Sequence, residues 1–287
     1  MLDAHHHLWD PSRVSYPWMQ HPPYQVLSRP VTLEEFESNA RAAGVTASVV
    51  VQAASSRLET HDLLELASRS HVIAGVVGWV DLTKAVAAQI ARMRARIGGD
   101  KLVGCRHQAQ DEPDANWLTQ PAVTRGLQEL GHAGLTFDLL VTMRELPAAL
   151  CVAQAAPGTQ FILDHLGKPP LAEPNDFRRW ESFMSELAAL PNVTAKLSGL
   201  LTEAPGFDID HDGLRAAVDT ALEAFGPSRL MIGSDWPVST LAVTYTKSFE
   251  WLKAMTAGLG PAERQLLYMG TAVNVYGLDS SIGTVYG

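Results

Sequence analysis

The chain has 287 residues, 46% of them hydrophobic and 18% charged, a globular composition that excludes a disordered chain. Lys and Arg number 22 against 31 Asp and Glu, for a net charge of -9, which disfavours a nucleic-acid partner, and no basic block suggests a membrane surface. No signal-like opening and no apolar run of about 18 residues occurs, so the expected location is cytoplasmic.

Apolar, β-branched runs alternate with helical patterns along the chain. LDAHHHLW opens, followed by ASVVVQAA at 47–54, VIAGVVGWV at 72–80 and KLVGCRH at 101–107. GLTFDLLV at 134–141, QFILDHLG at 160–167, NVTAKLSG at 192–199 and RLMIGSDWP at 229–237 complete eight candidate strands. Between the first two lies TLEEFESNARAAG at 32–44, with Thr32 at the N-cap, Glu35 at the capping-box position and Gly44 at the C-cap. Further helical patterns separate the later strands, and a last short helix is expected near 261–276. Cys105 and Cys151 form no CxxC pair and read as two buried thiols in a reducing compartment.

Near-continuous apolar strands mark parallel strands buried on both faces. Eight of them alternating with helices predict an α/β fold, a (β/α)8 barrel, as a single domain over 1–287. A doubly wound sheet would carry a Gly-rich turn after its first strand. Here the first strand runs instead into a segment, 8–30, rich in Trp, Tyr and Pro. Its length and aromatic content suggest a flap over the barrel mouth, with simple packing on the rim as the alternative.

In such a barrel the chemistry lies at the C-terminal ends of the strands. Those ends carry His5, His6 and His7, then Gln52, Trp79 with Asp81, Arg106 with His107, Asp138, His165, Lys196 with Ser198, and Asp235 with Trp236. So many polar groups at strand ends are hard to explain as packing, because each costs free energy to bury unless paired. A two-residue period puts His5 and His7 on one face and His6 on the other. The same parity places His165 with Phe161 and Leu163, and sends Asp164 to the opposite face. Ser198 and Ser234 are lone serines with no G-x-S-x-G elbow, and neither H-E-x-x-H nor a P-loop occurs.

The combination DAHHHLWD, SYPWM, VGCRH, FILDHLGKP, AKLSGL, MIGSDWPV and GTAVNVYGL, spanning residues 3 to 278, resembles the amidohydrolase superfamily. Within it the chain is most similar to the sugar lactonases, of the L-fuconolactonase type first and the L-rhamnonolactonase type next. The resemblance implies a (β/α)8 hydrolase that opens a sugar aldonolactone to the aldonic acid. It implies His5, His7, His165 and Asp235 as catalytic residues, with Asp235 handling the proton of the attacking water. The binuclear members use a lysine or glutamate on strand 4 and a histidine on strand 5. Here those strands end in Arg106-His107 and Asp138, so at most one Zn²⁺ is expected, on His5, His7, Asp235 and His165, and activity need not depend on it. Gln52, Trp79, Arg106, His107, Asp138, Lys196, Trp18 and Trp236 are the expected substrate-binding residues, and a small-molecule sugar lactone is the expected partner. A pyrone-dicarboxylate lactonase or a metal-dependent decarboxylase of the same superfamily is the alternative.

Overall fold

The computed structural model describes residues 1–279. Residues 280–287, the end of the expected single domain, lie outside the described residues. Each apolar run forms one strand: β1 (Leu2–His6), β2 (Ala47–Val51), β3 (Ile73–Gly78), β4 (Leu102–His107), β5 (Thr136–Leu139), β6 (Phe161–Leu163), β7 (Val193–Leu197) and β8 (Leu230–Ile232). They pair in parallel in chain order. The ring closes where the His7 N–H donates to the Trp236 carbonyl at 2.7 Å and the Asp235 N–H to the His5 carbonyl at 2.8 Å. This is the expected (β/α)8 barrel.

The helices are α1 (Leu33–Ala43), α2 (Arg57–Arg69), α3 (Val86–Arg94), α4 (Pro121–His132), α5 (Leu146–Ala155) and α6 (Pro174–Ala188). They continue with α7 (Leu200–Glu203), α8 (Asp212–Phe225), α9 (Tyr245–Met255), α10 (Pro261–Gln265) and α11 (Thr271–Tyr276). A π-helical turn, Leu266–Gly270, joins the last two, so the expected single terminal helix is three segments. Thr32 caps α1 by accepting the Glu35 N–H at 3.3 Å, and Gly44 ends it at φ 73°. Glu35 does not close the capping box; its carboxylate takes two bonds of 2.7 and 2.8 Å from Arg29. Among the described residues no helix is long and apolar enough to cross a membrane. One expectation fails in the helix layer: Cys105 is buried, but Cys151 is exposed, because it falls on the outer face of α5.

The barrel interior is an apolar cluster that includes Leu2, Ala4, Val49, Val51, Val77, Ile162 and Met231. Tyr276, the last residue of α11, and Leu278 just after it pack into the same cluster. Alternate strand residues such as Val50, Phe161 and Leu163 join the larger cluster shared with the helices, as strand pleating requires.

Strand β1 departs from simple alternation. Asp3 pairs with Ser48 but His6 pairs with Val50, so the register slips between them. The slip turns His5 toward the barrel centre although Ala4 already faces inward, and it leaves His6 facing out. His6 stacks flat on Phe36 of α1, with centroids 3.6 Å apart, and meets Ser48 Oγ at 3.1 Å.

Strands β6 and β8 are shorter than their apolar runs. After Leu163 the chain enters the left-handed region at His165 (φ 55°) and Leu166 (φ 54°), and Asp235, after β8, is also left-handed (φ 55°). Non-glycine residues held there cost on the order of 1–3 kcal/mol each, and the cost falls at the strand ends where functional side chains were expected.

The 8–30 segment contains two short 3-10 turns, Pro17–Gln20 and Tyr24–Leu27. It is pinned at its base, where the Val31 N–H donates to the Trp9 carbonyl at 2.8 Å. Arg13 adds two bonds of 2.8 Å to Asp62 of α2, and Trp18 hydrogen-bonds the Ala53 carbonyl at 3.0 Å.

Candidate active site

Four predicted groups meet at the centre of the barrel mouth. His5 and His7 bring their Nε2 atoms to 3.3 Å. Asp235 Oδ1 lies 3.3 Å from His7 Nε2, 3.7 Å from His5 Nε2 and 4.0 Å from His165 Nε2. Two glycines leave the room for this. A Cβ on Gly233 would sit 2.6 Å from the His5 Cβ, and one on Gly199 would sit 2.6 Å from His165 Nδ1 and 2.9 Å from Asp235 Oδ2.

Hydrogen bonds behind the rings set which nitrogens face the centre. His7 Nδ1 donates to the Val51 carbonyl at 2.7 Å, so its Nε2 presents a lone pair. At His5, Arg106 can only donate and lies 3.3 Å from Nε2, while Asp164 Oδ1 lies 3.3 Å from Nδ1. Both place the proton on Nδ1. Lys196 Nζ, 3.1 Å from Nδ1, opposes them, but its shorter bonds run to Asp138 at 2.6 Å and Asp164 at 2.9 Å. His165 Nδ1 pairs with Ser198 Oγ at 2.9 Å. His5 Nε2, His7 Nε2 and an Asp235 carboxylate oxygen thus converge, a donor set that fits one divalent cation of the zinc type, which would compete with the Arg106 N–H for the His5 lone pair.

A second cation does not fit. His5, Asp164 and His165 also cluster, but Asp164 is already neutralised by Arg106 at 3.0 Å and Lys196 at 2.9 Å. A second dication would face two fixed positive charges.

Beneath these groups lies a fully buried ionic layer. Lys196 bridges Asp138 and Asp164, and Tyr276 donates to Asp138 at 2.9 Å. Burial pushes the Asp138 carboxyl up to about 6 against the pull of Lys196. Burial acts the same way on Asp164, but Lys196, His5 and Arg106 outweigh it and hold that carboxyl well below the usual range. Asp235 behaves likewise: burial is opposed by His165, His7 and His5, and the net effect is a carboxyl held below its ordinary value. Burial lowers His165 to about 4 against the attraction of Asp235 and Asp164. Burial also holds His5 well below the usual imidazole range, so at neutral pH the centre holds an anionic Asp235 facing the neutral rings of His5 and His165.

Above the centre opens a cavity of about 220 Å³. His7, His165, Asp235 and Arg106 form its floor; Trp18, His21 and Tyr24 of the 8–30 segment, with Gln108, Lys168 and Glu203, form its walls. Of the expected substrate-binding residues, Trp18 and Arg106 line it. Gln52, Asp138 and Lys196 are buried and support the floor; Gln52 donates to the Arg106 carbonyl at 2.9 Å. Trp79 donates to His107 Nδ1 at 3.0 Å, and His107 is stacked on Trp117 and bonded to Glu112 at 2.7 Å. Neither Trp79 nor His107 lines the cavity. Trp236 lies in the helix layer against Phe36 and Tyr245, not at the mouth.

A sequence model of the Amidohydrolase family matches residues 2–278. The chain belongs to this family. It is 39% identical to an L-fucono-1,5-lactonase of Burkholderia multivorans, covering 96% of this chain and 96% of that one. An L-fucono-1,5-lactonase of Burkholderia ambifaria is 38% identical, with 98% and 97% covered. The crystal structure of a Burkholderia multivorans amidohydrolase with bound zinc superposes with a TM-score of 0.89 at 38% identity, covering 97% of this chain and 99% of that chain.

The structure adds residues to this amidohydrolase site that sequence reasoning did not select. Asp164 was expected to face away, but the left-handed turn at His165 and Leu166 ends the strand pleat and brings both Asp164 and His165 inward. Lys168 had a signal in the DHLGKP motif. His21, Tyr24, Gln108 and Glu203 sit on loops whose approach to the mouth no local pattern announces.

Proposed function

We propose that the protein hydrolyses a sugar-derived aldonolactone of the L-fucono-1,5-lactone type to the aldonic acid. The observation that carries this reading is the convergence of Asp235 with His5, His7 and His165 at the floor of a small cavity. The near-full-length likeness to two L-fucono-1,5-lactonases supports the substrate class. The 8–30 segment acts as a flap, placing Trp18, His21 and Tyr24 over the bound ring.

A lactone carbonyl is a reactive electrophile, so the enzyme has three tasks: activate water, stabilise the oxyanion and return a proton. Asp235, anionic at neutral pH, takes a proton from the attacking water. Arg106, lining the floor with its guanidinium fixed by Asp164 and by the Gln52 carbonyl, supplies positive potential toward the developing oxyanion. When the ring C–O bond breaks, Asp235 gives its proton to the departing alkoxide, and the open hydroxy acid leaves as its carboxylate. His5, His7 and Asp235 would hold a single zinc ion, whose Lewis acidity would add to the polarisation of carbonyl or water.

A dicarboxylate substrate calls for a cluster of unengaged cations. Among the described residues lining this cavity, Arg106 is committed to Asp164 and Lys168 faces Glu203, so a neutral lactone fits better. The test is acid release from a panel of five- and six-membered aldonolactones, followed with a pH indicator. Turnover of L-fucono-1,5-lactone, lost in Asp235→Asn, is expected; no turnover of any sugar lactone would sink the reading.

A further inference from the structure

The ionic pair on the cavity wall is not used by the chemistry above. Lys168 Nζ lies 3.6 Å from Glu203 Oε1, with side chains 21% and 27% exposed, and both residues line the cavity that holds His165 and Asp235. The two come from different loops, one after β6 and one at the end of α7. Each is tied to the catalytic floor by its own backbone. Lys168 has φ 55° and donates its N–H to the His165 carbonyl at 2.9 Å. The first residue before α7 is Gly199, the glycine packed against His165 and Asp235.

Among the described residues neither head group makes a closer bond than this long one. A solvent-facing pair at this distance contributes little to stability, and its partial burial also costs desolvation, so the pair is not explained by stability. Its chemistry suits a different task. A hydroxyl both donates and accepts, an ammonium only donates, and a carboxylate only accepts. Two neighbouring hydroxyls can accept from Lys168 and donate to Glu203 at once, through charge-assisted bonds. The pair is neutral overall, so it adds no net charge to a site built around Asp235.

We infer that Lys168 and Glu203 form the specificity subsite that reads adjacent ring hydroxyls of the lactone, selecting a polyhydroxylated substrate over an unsubstituted one. This rests on the lactonase reading. A site that bonds a substrate hydroxyl strongly rejects the analogue lacking it.

The test compares kcat/KM for L-fucono-1,5-lactone and δ-valerolactone in wild type, Glu203→Gln and Lys168→Met, with binding of the ring-opened fuconate by calorimetry. Each variant should lower the ratio of the two kcat/KM values by roughly 10- to 100-fold and weaken fuconate binding by a similar factor. Lys168→Arg, which keeps the donor and the charge, should recover part of the selectivity. An unchanged ratio with unchanged fuconate affinity overturns the inference, as does an equal loss on both lactones, which marks a structural role. If wild type opens δ-valerolactone too slowly to measure, the fuconate affinity of the variants alone decides. Wild-type protein that opens neither lactone overturns the lactonase reading itself, whereas active wild type with unaltered selectivity in the variants overturns this inference alone.

Discussion

The floor and the rim of the mouth are built from different materials. The floor is fully buried charge: Lys196 between Asp138 and Asp164, Arg106 on Asp164, and His5 above them. Its residues sit on strands or directly after one, and its charges neutralise one another. The rim is loop-borne and part-exposed, and its charged pair stands at 3.6 Å. A buried ion network tolerates no missing member, because the survivors are left as uncompensated charges. A rim pair facing solvent has water to replace a lost partner. The buried ionic layer should therefore control the fold, the groups it supports the rate, and rim residues the selectivity.

The comparison can be broken at several points. The largest effect is expected at Asp235→Asn, which keeps the shape of the floor but removes the proton acceptor: kcat/KM should fall by about 10²- to 10⁴-fold with little change in Tm. Lys196→Met leaves Asp138 and Asp164 facing each other without their cation. Denaturant unfolding should show a loss of about 3–5 kcal/mol, and a stable, active variant would mean the floor is not held by its charges.

A smaller effect separates the members of the histidine triplet. His6→Ala removes the stack on Phe36 and should cost about 1–3 kcal/mol of stability while the folded fraction keeps its kcat. His7→Ala should show the reverse, and should also abolish binding of one equivalent of zinc measured by calorimetry. Two equivalents in wild type would contradict the electrostatic exclusion of a second cation.

The last effect lies in the support of the rim and shows only as a dependence on pH. Glu59 is buried and accepts N–H bonds of 2.9–3.1 Å from Ala53 and Ala54. Burial pushes its carboxyl up to about 7 against those bonds. The folded state then binds the proton more tightly than the unfolded chain, so its contribution to stability is greatest below about 4.5 and declines as pH rises to about 7. The slope is at most about 1.4 kcal/mol per pH unit. Tm measured from pH 4.5 to 7.5 should decline less in Glu59→Gln than in wild type.

Much of the floor was legible because it lies on strands. Period-two alternation assigned His5, His6 and His7 to their faces, and the alternation of apolar runs with helices gave the barrel. The bulge in β1 was not legible, since an extra residue in one strand leaves no mark in composition. Parity failed at Asp164 for a related reason: it holds only while the backbone stays extended, and the chain turns left-handed one residue later. His107 shows the converse: it follows the inward-facing Arg106 within β4, and its parity, applied consistently, sends it to the other face. Trp236 follows the left-handed Asp235, where parity does not apply. Glu203 and Tyr24 were out of reach, because loop side chains meet the mouth through tertiary placement alone.

Asp3 makes bonds to Ser234 and Tyr245, and Lys196 reaches its full set of neighbours only with Tyr276 in place. His5 and His7 precede Asp235 by 230 and 228 residues, and the three meet only where β1 pairs with the segment after β8. No partial translation product can carry the assembled site.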